Sequence, residues 1–289
     1  MNKQTLLQQI RQTFPDLQWK TAKHNIEGWD HYVLILDDKY VFRFPRGKEY
    51  FPVLKNEVLL LQHLRNKVKL QLPEYLWIAK DGRMAGYRLI EGDQLKPDLL
   101  QKLPAKTKTT IARQIAEFLT VLHSMPLLEA KKYAKPEKSS QDLYTDMVKK
   151  VRKILFPKIA KKYQGIIENF FLEFKNYLHS PHKTLIHNDF YHDHILLDHN
   201  KKSLAGIIDF ADRVIDDPAR DFTELWIYGE DFVKEVYRNY SGPKDKHFLK
   251  RAAMYNKRMA LWNMLSSFEG HRGNFRKSYT TFKEIFLGK

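Results

Sequence analysis

The sequence predicts an α+β fold in two lobes, β-rich over residues 1–90 and mostly helical over residues 91–289. Three observations predict it. Apolar runs paired across short turns are concentrated in the first third of the chain. Apolar residues at helical spacing dominate from Ile111 onward. A length of 289 residues is more than one small core needs and fits two lobes.

In chain order, residues 5–14 read as an opening helix closed by Pro15. Two strands, 31–36 and 40–45, flank Asp37-Asp38-Lys39 as a hairpin. A helix over residues 52–66 follows, with Leu54, Val58 and Leu61 on its buried face and Glu57 beside that stripe. Strands at 75–79 and 86–90 around Asp81-Gly82 make a second hairpin, and Glu91-Gly92 reads as a hinge. Beyond it, Ile111, Ile115, Phe118, Leu119 and Leu122 mark an amphipathic helix that ends near His123-Ser124 before Pro126, with His123 as a cap or packing residue. Further helices are expected over 141–155 and 165–178, with a loop at 135–140 between helical stretches. Residues 219 to 289 again read as helical, broken by Gly229 and by Ser241-Gly242-Pro243.

The chemistry lies between these helices. Leu185-Ile186 and Ile195-Leu196-Leu197 are apolar runs on either side of His187-Asn188-Asp189-Phe190-Tyr191-His192-Asp193-His194, and Gly206-Ile207-Ile208-Asp209-Phe210 is a short apolar strand ending in a carboxylate. Carboxylates at the ends of buried strands, with a His-rich loop between them, suit a base and a metal site. Phosphoryl transfer needs that pair: one carboxylate for the proton of the attacking hydroxyl, others for the divalent ions on the phosphates. The bland readings are a turn role for Asp198 and a hydrogen-bonded structural role for His187.

At these residues the chain resembles the aminoglycoside phosphotransferase family of kinase-like small-molecule kinases, in particular the branches acting on the 2″-hydroxyl of aminoglycosides and the 2′-hydroxyl of macrolides. The match is carried by His187-Asn188-Asp189 with His194, by Ile208-Asp209-Phe210, and by Asp217-Pro218-Ala219-Arg220-Asp221. The resemblance implies a protein-kinase-like fold with a nucleotide-binding N-lobe (1–90) and a C-lobe (91–289) holding the catalytic loop and the acceptor site. It implies transfer of the γ-phosphoryl group of ATP or GTP to a small-molecule hydroxyl, with Mg²⁺ as cofactor. Asp189 would orient or deprotonate the hydroxyl, and His194 and Asp209 would bind the metal. Arg43 and the loop near Gly28 would steady the phosphates, and Glu57 would pair with Arg43. The backbone near Leu89, Ile90 and Glu91 would hold the purine. Asp221 resembles the acid that hydrogen-bonds the catalytic-loop backbone. Asp212, Glu224, Glu230, Trp262 and Glu269 are acceptor-site candidates, although Trp262 reads better as helix core.

Three departures stand out. His194 replaces the Asn of most of the family, as in the two named branches. Arg43 occupies the position of the kinase phosphate lysine and has the alternative reading of a strand arginine at the solvent edge. The segment 25–31 has one glycine where protein kinases have three.

Composition bounds the rest. A formal charge of +16 invites a nucleic-acid partner. Twelve Asp/Glu against five Lys/Arg between His187 and Glu235 place an acidic island at the catalytic loop instead, which favours metal plus a cationic acceptor. Nucleic acid is therefore not the expected partner, nor is a membrane, since no apolar run has spanning length. Absence of Cys and of a signal-peptide core leads us to expect a cytoplasmic protein, and a monomer. The acidic island leans toward an aminoglycoside. The similarity of residues 214–218 and 227–231 to the macrolide branch leans the other way, and a metabolic alcohol or amine stays open. The rival from another class is a non-catalytic basic binding protein on a kinase-like scaffold.

Overall fold

Alternation along its strands organises the N-terminal third of the structure, a computed structural model that describes residues 1–25, 30–269 and 274–288. Helix α1 (Lys3–Thr13) starts at Asn2, whose side chain accepts a hydrogen bond from the Thr5 N–H at 2.9 Å. After it come β1 (Ala22–Asn25), β2 (His31–Leu36), β3 (Tyr40–Pro45), α2 (Phe51–Leu64), β4 (Tyr75–Ile78) and β5 (Ala85–Arg88). The strands form one antiparallel sheet in the order β1-β2-β3-β5-β4. Asp37 and Asp38 turn the β2–β3 hairpin with φ of 52° and 53°, the left-handed pair that a two-residue turn between twisted strands requires.

Successive side chains on a strand face opposite ways. Phe42 and Phe44 of β3 therefore join Leu34 and Leu36 of β2 against Leu6, Leu7 and Ile10 of α1. Val41 faces the other core, shared with Leu54, Val58 and Leu61 of α2. Arg43 alternates with Phe42 and Phe44, and at 6% exposure on a central strand it is no solvent-edge arginine.

The chain leaves β5 for β6 (Asp93–Gln94) through Gly92, whose φ is 155° and whose added Cβ would stand 2.6 Å from the Leu197 carbonyl oxygen, so only glycine fits. Helices α3 (Pro97–Lys102), α4 (Ala105–His123), α5 (Leu127–Tyr133) and α6 (Ser140–Lys150) follow, α6 running into a π turn at Val151–Leu155. Then come α7 (Lys161–Lys175), β7 (Thr184–Ile186), β8 (Ile195–Leu197), β9 (Leu204–Ile207) and β10 (Val214–Asp216). Helices α8 (Glu230–Asn239), α9 (Phe248–Ser266) and α10 (Phe275–Leu287) complete the chain. Strand β8 lies between β6 and β9, and β10 pairs with β7, all antiparallel. The loop before β4 is stitched to β9: Gln71 N–H donates to Ala205 O at 3.1 Å, and Gln71 O accepts from Ile207 N–H at 3.0 Å.

Several expectations change. Strands β1, β6 and β10 and helices α3 and α5 appear where no element was read, and all are short. Residues 218–228 form two 3-10 turns, Pro218–Phe222 and Glu224–Tyr228, before α8 begins. Trp262 is not helix core: it is 42% exposed, with the Lys150 ammonium 5.6 Å from its ring centre. The Gly28 expectation lies outside the described residues.

A buried ion pair fixes α9 against the Pro218–Phe222 turn. Arg251 Nε donates to Asp217 Oδ2 at 2.6 Å, Tyr255 Oη donates to the same oxygen at 3.0 Å, and the two charged side chains are 2% and 1% exposed. Arg251→Met would leave the Asp217 carboxylate buried without its cation, at a cost of about 3–5 kcal/mol. Urea unfolding should show the midpoint falling with the slope unchanged; a parental midpoint would show that this pair carries no such weight.

Candidate active site

The loop after β7 is held by one buried carboxylate. Asp221 accepts from the His187 N–H at 2.7 Å and the Asn188 N–H at 2.8 Å, and its Oδ2 lies 2.9 Å from His123 Nε2. His123 Nδ1 in turn meets the Tyr240 hydroxyl at 2.9 Å. Burial works to raise the Asp221 carboxyl, but His123, His187 and these N–H donors hold it below the usual carboxylate range. His123 is thus a buried polar brace at the end of α4.

Asn188 adopts φ 64°, a left-handed conformation that Asn tolerates better than most residues. Its side chain donates to Asp212 O at 2.9 Å and accepts from Arg220 at 2.6 Å. The tight corner delivers Asp189 to the cleft with its side chain 43% exposed. The fully buried His187 ring contacts Ile208 O at 3.2 Å, and burial foremost pulls its pKa down to about 4, so it stays neutral.

Asp189, His194 and Asp209 come together, with one ligand atom from each lying within 4.8 Å of the others. His194 Nδ1 lies 2.9 Å from the Asp189 carbonyl oxygen, which can only accept, so Nδ1 carries the proton. That leaves the Nε2 lone pair, 3.7 Å from Asp209 Oδ2, free to bind a cation. Asp209 also takes φ 64°, and the Ile208 N–H donates to His194 O at 3.0 Å, locking the two segments together. Two carboxylates and an imidazole, all partly open to the cleft, form a donor set that fits a divalent ion.

The electrostatics of the three differ. Burial foremost, then Asp209, Asp212 and Asp193, push the Asp189 carboxyl up to about 6 against the pull of His194. Burial acts the same way on Asp209, but Arg43 and then the neighbouring imidazoles outweigh it and hold this carboxyl far below the usual range. The two carboxylates are thus set apart by environment.

Arg43 joins the sheet to this cluster. One guanidinium nitrogen donates to Glu57 Oε1 at 2.7 Å and another to Asp209 Oδ1 at 2.9 Å. Glu57, on α2 and wholly buried, also accepts from the Tyr75 hydroxyl at 2.8 Å. The sequence pointed to the Arg43–Glu57 contact but gave no sign that Asp209 shares it. His31 was also missed: its Nδ1 lies 3.3 Å from Arg43, and burial, then Arg43, bring its pKa down to about 2. Of the hinge residues, Leu89 spends its N–H on Lys39 O at 2.8 Å, Ile90 is buried, and Glu91 is exposed.

The acceptor candidates divide. Asp212 acts electrostatically on Asp189 and pairs with Lys135 at 3.0 Å. Glu224 feels Asp189 as well: burial foremost, then that charge, push its carboxyl up to about 7 against Arg258. Glu230 instead pairs with Lys234 on the surface of α8, and Glu269 pairs with Lys150 at 2.7 Å, beside Trp262. Lys135, which the sequence did not single out, bridges Asp212 to Asp30 at 2.8 Å. Only a lysine in a loop marked it, and nothing local announces two distant carboxylates.

Solved structures share this architecture from end to end. A GDP complex of aminoglycoside 2'-phosphotransferase-IIIa superposes with a TM-score of 0.87 at 24% identity, covering 100% of this chain and 99% of that one. A GDP and kanamycin complex of an APH(2″) enzyme gives 0.85 at 25% identity, covering 99% and 100%. A macrolide 2'-phosphotransferase type I gives 0.70 at 17% identity, covering 98% of each. The sequence model of the phosphotransferase enzyme family matches residues 21–247, a span that contains Arg43, Glu57, the loop of Asp189 and His194, and Asp209. With most of its length matched, the chain belongs to the phosphotransferase enzyme family.

Proposed function

We propose that this phosphotransferase moves the γ-phosphoryl group of ATP or GTP to a hydroxyl of an aminoglycoside, in a 2″-type reaction, with residues 1–90 as nucleotide lobe and 91–289 as acceptor lobe. The observation that carries the reading is the convergence of Asp189, His194 and Asp209 beside the Arg43–Glu57 pair. The purine would lie against the hinge, reading Leu89 through its carbonyl because its N–H is taken.

Asp209 and His194 Nε2 would hold Mg²⁺, which when bound neutralises the negative charge of the triphosphate. Arg43 has five N–H donors, more than its two carboxylate partners use, and keeps hydrogen-bonding capacity for phosphate oxygens. Asp189 accepts a hydrogen bond from the acceptor hydroxyl, aims its oxygen at the phosphorus, and takes its proton as the new bond to phosphorus forms and the bond to the bridging oxygen breaks, releasing the nucleoside diphosphate. Its raised pKa makes it a better proton acceptor than an exposed aspartate. His187 and Asp221 hold the loop still, so the carboxylate is placed before substrate arrives.

Glu224, Asp212 and Asp193 put further acidic charge around Asp189, which suits a polycationic acceptor better than a mostly apolar one. That is why we place the aminoglycoside ahead of a macrolide. The protein would act in the cytoplasm, where nucleotides are; among the described residues no helix is long and apolar enough to cross a membrane.

Asp189→Asn should keep nucleotide-dependent thermal stabilisation and lose phosphoryl transfer by on the order of 10²-fold or more, measured as diphosphate release with kanamycin as acceptor. Retained turnover in that variant would remove Asp189 from the chemistry. Glu224 supplies a pH signature. Its carboxyl is neutral below about 7 and charged above it, so KM for a cationic aminoglycoside should fall as pH rises through 7. Glu224→Gln should flatten that profile; a profile identical to the parent's would place Glu224 outside the acceptor site.

A further inference from the structure

One arginine with no part in the chemistry above closes the active site into a ring. Arg213 is completely buried, four residues beyond Asp209. One of its terminal nitrogens donates to the Phe210 carbonyl at 2.8 Å and the other to the Val53 carbonyl at 2.9 Å. Phe210 directly follows Asp209, and Val53 lies one helical turn before Glu57 on α2. From Asp209 the path runs through Arg43 to Glu57, back along one turn of α2 to Val53, and through Arg213 to Phe210. Two buried guanidinium groups thus bridge the same helix and the same loop, one through carboxylates and one through backbone carbonyls.

We propose that Arg213 is a positioning residue: it clamps the start of α2 to the segment after Asp209, so that Glu57, Arg43 and Asp209 stand in phosphate-binding register without any further signal. A planar group with two terminal nitrogens suits this task, since it reaches two carbonyls at once from a fixed fork. Arg43 alone does not fix α2. Its contact to Asp209 is one hydrogen bond to a side chain that is 38% exposed, whereas Arg213 is fully buried and grips the first turn of α2 by its backbone. The clamp works through Arg43 and Asp209, not on the substrate. Its loss should therefore show in nucleotide handling and leave the acceptor site alone.

The inference rests on the reading of Arg43, Glu57 and Asp209 as the nucleotide site, and the test separates the two. Arg213→Met, Arg213→Lys, Glu57→Gln and the double variant Arg213→Met/Glu57→Gln would be compared for kcat and for both KM values, at a temperature where circular dichroism shows native protein. Arg213→Met should lower kcat/KM for the nucleotide by on the order of tenfold or more, with acceptor KM within about twofold. The double variant should lose much less than the product of the single losses, because both residues serve one ring. Arg213→Lys, able to reach only one carbonyl at a time, should keep more stability than Arg213→Met and recover only part of the rate. Amide exchange over residues 54–60 should quicken in both Arg213 variants. Parental kinetics in folded Arg213→Met, or strictly multiplicative losses, would overturn the proposal. So would failure of both Arg213 variants to fold while Glu57→Gln folds, since Arg213 would then be a folding residue. If Glu57→Gln itself leaves nucleotide KM and kcat untouched, the nucleotide-site reading fails.

Discussion

Everything in the cleft depends on a charge that has no business inside a sheet. Arg43 is a buried guanidinium on a central strand, and taking it out of water is affordable only if carboxylates meet it. The sheet supplies none. Glu57 must therefore face inward from α2, against the rule that a helix shows its acids to water, and Asp209 must approach from the other half of the chain. The left-handed φ of Asp209 follows from this demand: the backbone turns sharply at the strand end so that its carboxylate reaches back toward β3. One buried cation thus specifies the mutual placement of the sheet, α2 and the β9 corner, which no apolar contact could do, because apolar contacts are non-directional.

The loop after β7 repeats the arrangement with the charges reversed. Asp221 is a buried anion whose oxygens face two successive backbone N–H groups and a histidine. Losing any one of these donors would leave a buried charge under-satisfied, so the loop cannot drift without a large penalty. Asn188 occupies the strained corner between the anchored amides and Asp189, and its side chain is held at both ends. Asp189 therefore projects from an anchored backbone. The cluster is preorganised by backbone, and its three side chains, which could hold a metal ion, make few other contacts beyond that to Arg43 and the hydrogen bond that fixes the His194 tautomer.

The sequence was most readable where structure repeats or where a residue type is rare in its setting. Apolar runs around short turns disclosed the hairpins of β2–β3 and β4–β5, and helical spacing disclosed α2 and α4, because burying one helix face imposes that spacing. The spacing of Asp189, His194 and Asp209 was legible because carboxylates and imidazoles at buried strand ends need a reason, and Asp221 was legible only through the family resemblance. Strands of two to four residues such as β1, β6 and β10 hold too few side chains to show a period; they exist because partner backbones are already in place. Arg213 was hidden for a related cause. Its partners are carbonyl groups, which every residue carries, so no complementary letter marks Phe210 or Val53. Trp262 misled because an aromatic at helical spacing resembles core, whereas here it lies at the surface with the Lys150 ammonium 5.6 Å from its ring centre.

The acidic island gains a physical meaning from the two carboxyls whose pKa values rise. Burial foremost, and the charge of neighbouring acids after it, raise the values at Asp189 and Glu224, so these two carboxyls mark where the fold accommodates negative charge least well. Asp209 has Arg43, Asp212 has Lys135 and Asp221 has its donors, so their charges are answered from within the protein. Glu224 and Asp189 are answered only in part, by Arg258 and His194. A cation entering beside them stabilises their charged forms, and near pH 7 its binding is linked to loss of the Glu224 proton. An uncharged acceptor of the same shape forgoes that gain. The two carboxyls thus favour an acceptor that brings its own positive charge, and they do so at Asp189, the base in the proposed reaction.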